Sequence, residues 1–134
     1  MEEIVKFLEN NKYGSLATSV DDQPYVRPFE YGFKSEDGIF FYTSKDKGVY
    51  SQLKSNPKAS FCVTGKDDST YVELTGNIKF TNDEKYKNMM LEKSNNARKI
   101  YGSSDNENFE VFYMSHGRAS MHESSSGYVS DDQF

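Results

Sequence analysis

The sequence predicts a mostly β protein of the α+β class, a small antiparallel barrel or sheet with about six strands and three to four short helices. Segments with strand character follow one another instead of alternating strictly with helices, which argues against a doubly wound parallel sheet. The length of 134 residues corresponds to one ordinary domain. Ten Tyr and ten Phe suit strands and flat surfaces. We therefore expect one domain over residues 1–122 and a polar tail over 123–134.

Local patterns define the first half of the fold. Apolar residues recur at the spacing of one helix face in the opening segment, whereas the segments after it alternate or carry small, β-prone residues. The Asp-Gly pair at 37–38 is a hairpin signal between two strands. The predicted elements are a helix over 2–11, strands over 14–20, 25–34 and 39–43, and a helix within 44–55 that ends at Asn56-Pro57.

The second half is predicted in the same way. Gly76 indicates a bend or bulge within a long strand, and Thr81 with Glu84 forms a capping-box pattern at a helix start. The Ser, Asp and Gly content of the last twelve residues predicts a tail that is poorly ordered unless a partner holds it. The predicted elements are strands over 59–64 and 70–80, a helix after Thr81, one helical turn around 97–101, and closing strands over 109–114 and 118–122 joined at 115–117.

The charge balance limits the class of partner. Lys and Arg number 16 against 21 Asp and Glu, so the formal net charge is −5 and no general basic surface is expected. We expect neither a nucleic acid nor a membrane as partner. The start Met1-Glu2-Glu3 is acidic where a signal peptide is basic, and the longest purely apolar or aromatic run covers only 39–42. These features predict a cytoplasmic protein.

Metal and nucleophile sites find little support. His116 and His122 are interpreted as strand or loop residues, because no HExxH or CxxC motif accompanies them. Cys62 lies in an apolar strand and is predicted to be a small buried side chain. No GxSxG motif is present to expose a nucleophilic serine. We expect no metal, and the sequence leaves the catalytic residues unknown.

A different group of residues can hold a phosphate. The common phosphate loops, GxxxxGK[ST] and GxGxxG, are absent. Residues 42–50 leave a strand and open a helix, so hydroxyls, free backbone N–H groups and ammonium groups converge there. Arg27 lies on a paired strand and can reach the same point. The candidate phosphate ligands are Arg27, Thr43, Ser44, Lys45 and Lys47.

A purely structural interpretation accounts for the same residues. Thr43 or Ser44 would cap the helix, the two lysines would be solvated, and Arg27 would pair with Glu30 or Asp46. The residue types alone leave both interpretations open.

The order of the motifs along the chain resembles that of a known protein family. Residues 25–57 read YVRPFEYGFKSEDGIFFYTSKDKGVYSQLKSNP, with an arginine strand, an acidic hairpin, a Tyr-Thr strand end, a basic loop and a helix closing in Leu-x-x-Asn-Pro. Gly76 and residues 108–114 extend the pattern. This arrangement resembles the pyridoxamine 5′-phosphate oxidase-like family of flavin-binding split barrels, in particular its short members related to general stress and nitroimidazole-resistance proteins.

The resemblance implies a six-stranded antiparallel split β-barrel that forms a homodimer with FMN in clefts at the subunit interface. Arg27 matches the arginine that contacts the FMN phosphate. The backbone of Pro28, Phe29 and Glu30 matches the strand along the isoalloxazine, and Tyr42 with Thr43 matches the strand end under the ribityl phosphate. Positive charge next to that end falls on Lys45 and Lys47. The implied cofactor-binding residues are Arg27, Pro28, Phe29, Glu30, Tyr42, Thr43, Ser44, Lys45 and Lys47.

Other positions depart from the oxidase itself. Its glutamine on the long strand falls at Tyr71, its substrate-binding lysine falls at Gly32, and its C-terminal Trp and Arg-Leu segment has no counterpart in 124–134. The resemblance therefore implies an FMN-dependent oxidoreductase for another small flat electron donor or acceptor, such as a quinone or nitroaromatic. Two alternatives stay open: a non-catalytic flavin carrier or stress sensor, and a split barrel that uses haem or a deazaflavin.

Overall fold

Eight strands and four helices form the part of the chain that the computed structural model describes, residues 1–124 and 127–134. The strands are β1 (Tyr13–Val20), β2 (Gln23–Glu30), β3 (Phe33–Ser35), β4 (Gly38–Ser44), β5 (Lys58–Thr64), β6 (Thr70–Thr81), β7 (Phe109–Glu123) and β8 (Gly127–Gln133). The helices are α1 (Glu2–Asn10), α2 (Gly48–Ser55), α3 (Glu84–Lys93) and α4 (Asn95–Tyr101). The α+β class is confirmed, with eight strands instead of six.

All eight strands belong to one antiparallel sheet. Its order is β2-β1-β5-β6-β7-β4-β3, and β8 pairs with β7 beside this path. The two ends of the path, β2 and β3, are joined by only Tyr31 and Gly32. Because two residues span less than about 10 Å, the ends of the sheet must lie side by side. The sheet therefore curls on itself, consistent with a split barrel, and leaves a seam between β2 and β4.

Aromatic rings fill the space inside the curled sheet. Phe41 and Phe112 stack at 5.7 Å between ring centroids, and Phe29 packs against both. Phe61 meets Phe41 edge to face. These contacts place the first core between the strands, where α1 and α2 add Ile4, Leu8, Val49 and Leu53.

A second aromatic cluster lies between the sheet and the α3–α4 pair. Phe40 stacks on Phe33 at 4.6 Å and contacts Tyr86, and Tyr101 stacks on Phe109 at 4.6 Å. Met90 is fully buried in this cluster, as expected for an apolar face of α3. This packing fixes α4 beside the end of β4.

The bulge predicted at Gly76 is confirmed. The pairing of β6 with β7 shifts register between Thr75 and Asn77, so His116 and Gly117 together oppose the single Gly76. His116 has a φ of +49° there. A Cβ on Gly76 would lie 2.7 Å from Met114 Cγ and 2.9 Å from Ser115 O, so only glycine fits.

Three boundaries differ from the prediction. Residues 115–117 form this bulge inside one strand, β7, and do not join two separate strands. The single strand predicted over 25–34 is broken at Tyr31-Gly32 into β2 and β3. Thr81 extends β6 by pairing with Val111, so Asp83 caps α3 by accepting a hydrogen bond from Lys85 N at 2.9 Å.

Two other expectations are wrong. Residues 127–133 of the tail form β8, and Phe134 exchanges backbone hydrogen bonds with Gly117 at 3.0 and 3.1 Å. Residues 125 and 126 lie outside the described part of the chain. Cys62 is exposed because β5 turns Phe61 and Val63 inward and Cys62 outward. Within the described residues, no helix combines the length and apolar character needed to cross a membrane.

Candidate functional site

A cleft of about 470 Å³ lies at the seam between β2 and β4. Helix α2 borders one side, and α4 borders the other. The residues that line it are Arg27, Pro28, Phe29, Glu30, Tyr42, Thr43, Ser44, Lys47, Gly48, Val49, Ile100 and Tyr101. All nine residues singled out from the sequence, except Lys45, therefore meet at one place.

Lys45 lies outside this lining. Its side chain is 52% exposed, and its ammonium group is 3.8 Å from the buried carboxylate of Glu110. Lys47, two residues further on, is exposed but lines the cleft. The structure thus separates two lysines that sequence reasoning grouped together.

Arg27 extends from the edge strand β2 into one end of the cleft. Its Nη1 donates to Leu16 O at 3.2 Å and to Thr18 Oγ1 at 3.0 Å, and its Nη2 donates to Gln52 Oε1. Gln52 Oε1 also accepts from Thr18 Oγ1 at 2.6 Å. The predicted pairing with Glu30 or Asp46 is absent, since no carboxylate of the described residues lies within 4.0 Å of the guanidinium.

Burial lowers the pKa of Arg27 from its ordinary value, but a guanidinium stays protonated in proteins. Its acceptors are a carbonyl, a hydroxyl and an amide oxygen, all of them neutral. The result is a partly buried positive charge that only dipoles stabilise within the described residues. This arrangement favours an anionic ligand at that end of the cleft.

The loop after β4 leads into α2 at the same end. Lys47 is the N-cap residue of α2, and no side chain caps the helix. The predicted alternative that Thr43 or Ser44 caps it is wrong: Thr43 is buried in β4, and the Ser44 hydroxyl hydrogen-bonds to the hydroxyl of Tyr101. The first N–H groups of α2 therefore add a partial positive charge next to Lys47.

Glu30 also lines the cleft and lies three residues after Arg27 on β2. Its Oε1 accepts hydrogen bonds from Tyr42 OH and Ser94 Oγ, each at 2.7 Å. Burial raises the pKa of Tyr42 above its ordinary value, and the carboxylate of Glu30 adds to the rise. Tyr42 is therefore a hydrogen-bond donor at neutral pH.

Several lining residues were not assigned to the site from the sequence. Ile100 and Tyr101 come from α4, which was predicted only as a helical turn, and Gln52 lies behind Arg27 on α2. Burial raises the pKa of Tyr101. The apolar spacing of Ala97, Ile100 and Tyr101 was the available signal, but only the packing of Tyr101 on Phe109 shows that α4 reaches the cleft.

The histidines lie elsewhere. His122 stacks on Tyr71 at 4.7 Å between ring centroids on the outer face of the sheet, and His116 lies in the bulge. In residues 1–124 and 127–134, no three His, Cys, Asp or Glu side chains cluster as metal ligands.

The sequence profile of pyridoxamine 5′-phosphate oxidase matches residues 1–122. The chain belongs to the pyridoxamine 5′-phosphate oxidase family. No curated protein gives a significant match to the sequence.

Two solved structures that resemble this chain align with it over most of the length of both chains. A NimC/NimA family protein from Clostridium acetobutylicum is 28% identical with a TM-score of 0.83, over 92% of this chain and 87% of that one. General stress protein 26 from Bacillus anthracis is 18% identical with a TM-score of 0.76, over 99% and 97%. The expected resemblance to stress and nitroimidazole-resistance proteins is thereby confirmed.

Two other similar structures are named for different cofactors. An FMN-binding protein from Nostoc punctiforme, related to pyridoxamine 5′-phosphate oxidase, is 18% identical with a TM-score of 0.66, over 91% of this chain and 83% of that one. A haem-binding protein from Mycobacterium smegmatis is 21% identical with a TM-score of 0.75, over 98% and 55%. At these identities the likeness shows the shared fold alone.

Proposed function

We propose that the protein is an FMN-binding flavoprotein that transfers electrons or hydride between small flat molecules. The observation that carries this proposal is the guanidinium of Arg27, partly buried at one end of the cleft with only neutral acceptors. A charge removed from water is costly unless an opposite charge meets it. A phosphate dianion supplies that charge.

The rest of the cleft fits the remainder of FMN. Lys47, the first turn of α2 and Thr43 line the same cleft as Arg27, and they would hold the phosphate with it. Phe29, Tyr42 and Tyr101 provide aromatic surface next to an edge strand, which suits a flat ring system. The volume of about 470 Å³ falls in the range of cofactor pockets.

FMN, when bound, supplies hydride and electron transfer. The residues of this chain would bind and orient it: Arg27 and Lys47 would hold the phosphate, and the backbone of Pro28, Phe29 and Glu30 would lie along the ring. Tyr42 would hold the Glu30 side chain through the hydrogen bond that its hydroxyl donates to Oε1. The departures at Tyr71 and Gly32 support a substrate other than pyridoxamine phosphate.

A homodimer would complete this site. Val26 is 69% exposed and Tyr25 41% exposed on the edge strand β2, and Ile100 is 63% exposed at the rim of the cleft. Such apolar exposure on an unpaired edge favours a covering partner, and a second copy is the partner that we propose. Light scattering on purified protein should give about twice the chain mass, and Val26→Asp should shift it toward the monomer.

The decisive test is a comparison of FMN with riboflavin, which lacks the phosphate. We expect purified protein to bind FMN saturably, with quenched flavin fluorescence, and to bind riboflavin at least tenfold more weakly. Equal affinity for the two flavins would contradict a phosphate site, and no binding of either would contradict the proposal. Reduction of bound FMN by NADH or NADPH then separates an oxidoreductase from a flavin carrier.

The same titration distinguishes the alternative cofactors. Haem iron is usually ligated by His, Cys or Met, or more rarely by Tyr, and the described lining residues include only tyrosines of this set. Saturable binding of haemin or of a deazaflavin, with no binding of FMN, would replace FMN by that cofactor.

A further inference from the structure

Gln52 lies behind Arg27 and meets it through an uncharged oxygen. Its side-chain Oε1 accepts hydrogen bonds from Nη2 of Arg27 and from the hydroxyl of Thr18, the latter at 2.6 Å. The Thr18 hydroxyl in turn accepts from Nη1 of Arg27 at 3.0 Å. The three side chains therefore close a ring of hydrogen bonds that joins β1, β2 and α2.

The chemistry of these groups fixes the direction of each hydrogen bond in the ring. A guanidinium can only donate, so the atom of Gln52 that meets it must be the amide oxygen. The Thr18 hydroxyl gives its one proton to the same oxygen and accepts from Arg27 with a lone pair. Thr18 is 3% exposed, and hydrogen bonds shielded from water are stronger. The ring therefore holds the guanidinium in one orientation.

The nitrogen of the Gln52 amide lies at the start of α2. A Cβ on Gly48 would be 3.5 Å from Nε2 of Gln52, so the amide group reaches from Arg27 to the first residue of the helix. Arg27 and Gly48 both line the cleft. Gln52 therefore connects two sources of positive charge, the guanidinium and the N-terminal N–H groups of α2.

The ring orients the charge of Arg27 without neutralising it. Glutamate at position 52 would have the same reach and could accept the same two hydrogen bonds. Its carboxylate would also form an ion pair with the guanidinium, which would then have less to gain from a ligand anion. The amide at this position therefore leaves the charge of Arg27 to a ligand.

We infer that Gln52 is a positioning residue for the anion site: its amide oxygen fixes the guanidinium of Arg27, and its lack of charge makes this end of the cleft select a phosphate dianion over a neutral group. This inference rests on the proposed flavin cleft. It assigns to one residue outside the cleft lining the selectivity for FMN over riboflavin.

The test begins with two substitutions of Gln52 and one control. Gln52→Glu keeps the length and the acceptor oxygen but adds a charge, and Gln52→Met keeps the length but removes the amide. Gln23→Glu makes the same chemical change at an exposed residue at the start of β2. Fluorescence titration gives the affinities for FMN and riboflavin, NMR titration gives the affinity for inorganic phosphate, and thermal melting gives stability.

We expect Gln52→Glu to weaken FMN at least tenfold and inorganic phosphate at least threefold, because the new carboxylate pairs with Arg27. Riboflavin affinity should change less than threefold, and the melting temperature should not fall. Gln23→Glu should change none of these values. An FMN affinity of Gln52→Glu within threefold of the wild-type value, or an equal loss of riboflavin affinity, would overturn the inference.

The guanidinium provides a spectroscopic readout of its own orientation. In the ¹⁵N-labelled wild-type protein, the hydrogen bonds at Nη1 and Nη2 should slow rotation of the Arg27 guanidinium and give separate Nη signals, assigned by their loss in Arg27→Lys. Gln52→Met should merge these signals. Thr18→Val should merge them as well, whereas Thr18→Ser keeps the hydroxyl and should keep them separate. Unaltered signals in Gln52→Met would overturn the positioning role.

The failure of this inference can be distinguished from failure of the proposed function. If the wild-type protein binds FMN through its phosphate but Gln52→Glu binds it equally well, the flavin site stands and the inference fails. If the wild-type protein binds neither flavin, the proposed function fails, and inorganic phosphate decides the inference. Phosphate binding that Gln52→Glu weakens would then support it, and equal binding or no binding would overturn it.

Discussion

Two arginines on strands of the same sheet are stabilised in opposite ways. Arg118 on β7 donates to both carboxylate oxygens of Asp131 on β8, and its side chain is 66% exposed. Arg27 on β2 is partly buried and meets a carbonyl, a hydroxyl and an amide. Arg118 thus meets an opposite charge, whereas Arg27 and Glu30 in the cleft lining meet only neutral groups within the described residues.

This difference indicates which region is prepared for a ligand. A paired charge on the surface contributes little to stability and is already satisfied. A charge held only by dipoles gains further from an opposite charge, and Arg27 and Glu30 are both of this kind. The following predictions test this contrast, from the largest effect to the smallest.

Arg27→Ala should weaken FMN binding by about 10- to 150-fold, the value of a hydrogen bond to a charged group. Riboflavin affinity should hardly change, because riboflavin has no phosphate to lose. Fluorescence titration of both flavins measures the effect, and Arg118→Ala is the matched control. Similar losses in the two variants would remove the distinction between the arginines.

Tyr42→Phe removes one hydrogen bond to Glu30 and should lower the free energy of unfolding by about 0.5–1.5 kcal/mol at neutral pH. The raised pKa of Tyr42 also has a pH consequence. The folded state holds this phenolic proton more tightly than the unfolded chain, so stability is retained below about pH 10 and falls as the pH rises above it.

Urea unfolding between pH 7 and 11 checks both effects of Tyr42→Phe. The variant should lose less stability above pH 10 than the wild-type protein does. Parallel pH profiles for the two proteins would show that Tyr42 titrates like an exposed tyrosine.

Lys47→Ala should weaken FMN binding by about two- to fivefold, as expected for an exposed ion pair. The effect should shrink as salt is added. Lys45→Ala should leave FMN affinity unchanged, because Lys45 lies outside the cleft near Glu110. A larger loss for Lys45 than for Lys47 would contradict the placement of the phosphate.

Asp131→Asn should lower the free energy of unfolding by less than about 1 kcal/mol, and the loss should approach zero at high salt. Its FMN affinity should equal that of the wild-type protein. A large loss of stability would mean that β8 depends on this ion pair.

Sequence patterns predicted most of the residues that line the cleft because they lie in one segment around two strand ends. Residues 25–57 contain every lining position except Ile100 and Tyr101. Those two, and the role of Gln52, depend on how α4 and α2 pack against the sheet. Local patterns carry no information about such distant contacts.

The errors in the fold have equally physical causes. The polar sequence of β8 has little strand propensity of its own and depends on pairing with β7. His116 and Gly117 have turn-like sequence but form a bulge inside a paired strand. Cys62 was assigned to the buried face, although the period of two along β5 turns it outward once Phe61 and Val63 point inward.

The outward position of Cys62 has a practical consequence, since it is the only cysteine in the sequence. Desolvation by its neighbours, together with Glu73, raises the pKa of its thiol, so maleimide labelling requires mildly alkaline buffer. A fluorophore attached there lies outside the cleft, and its energy transfer to a bound flavin would report cofactor occupancy without altering the site.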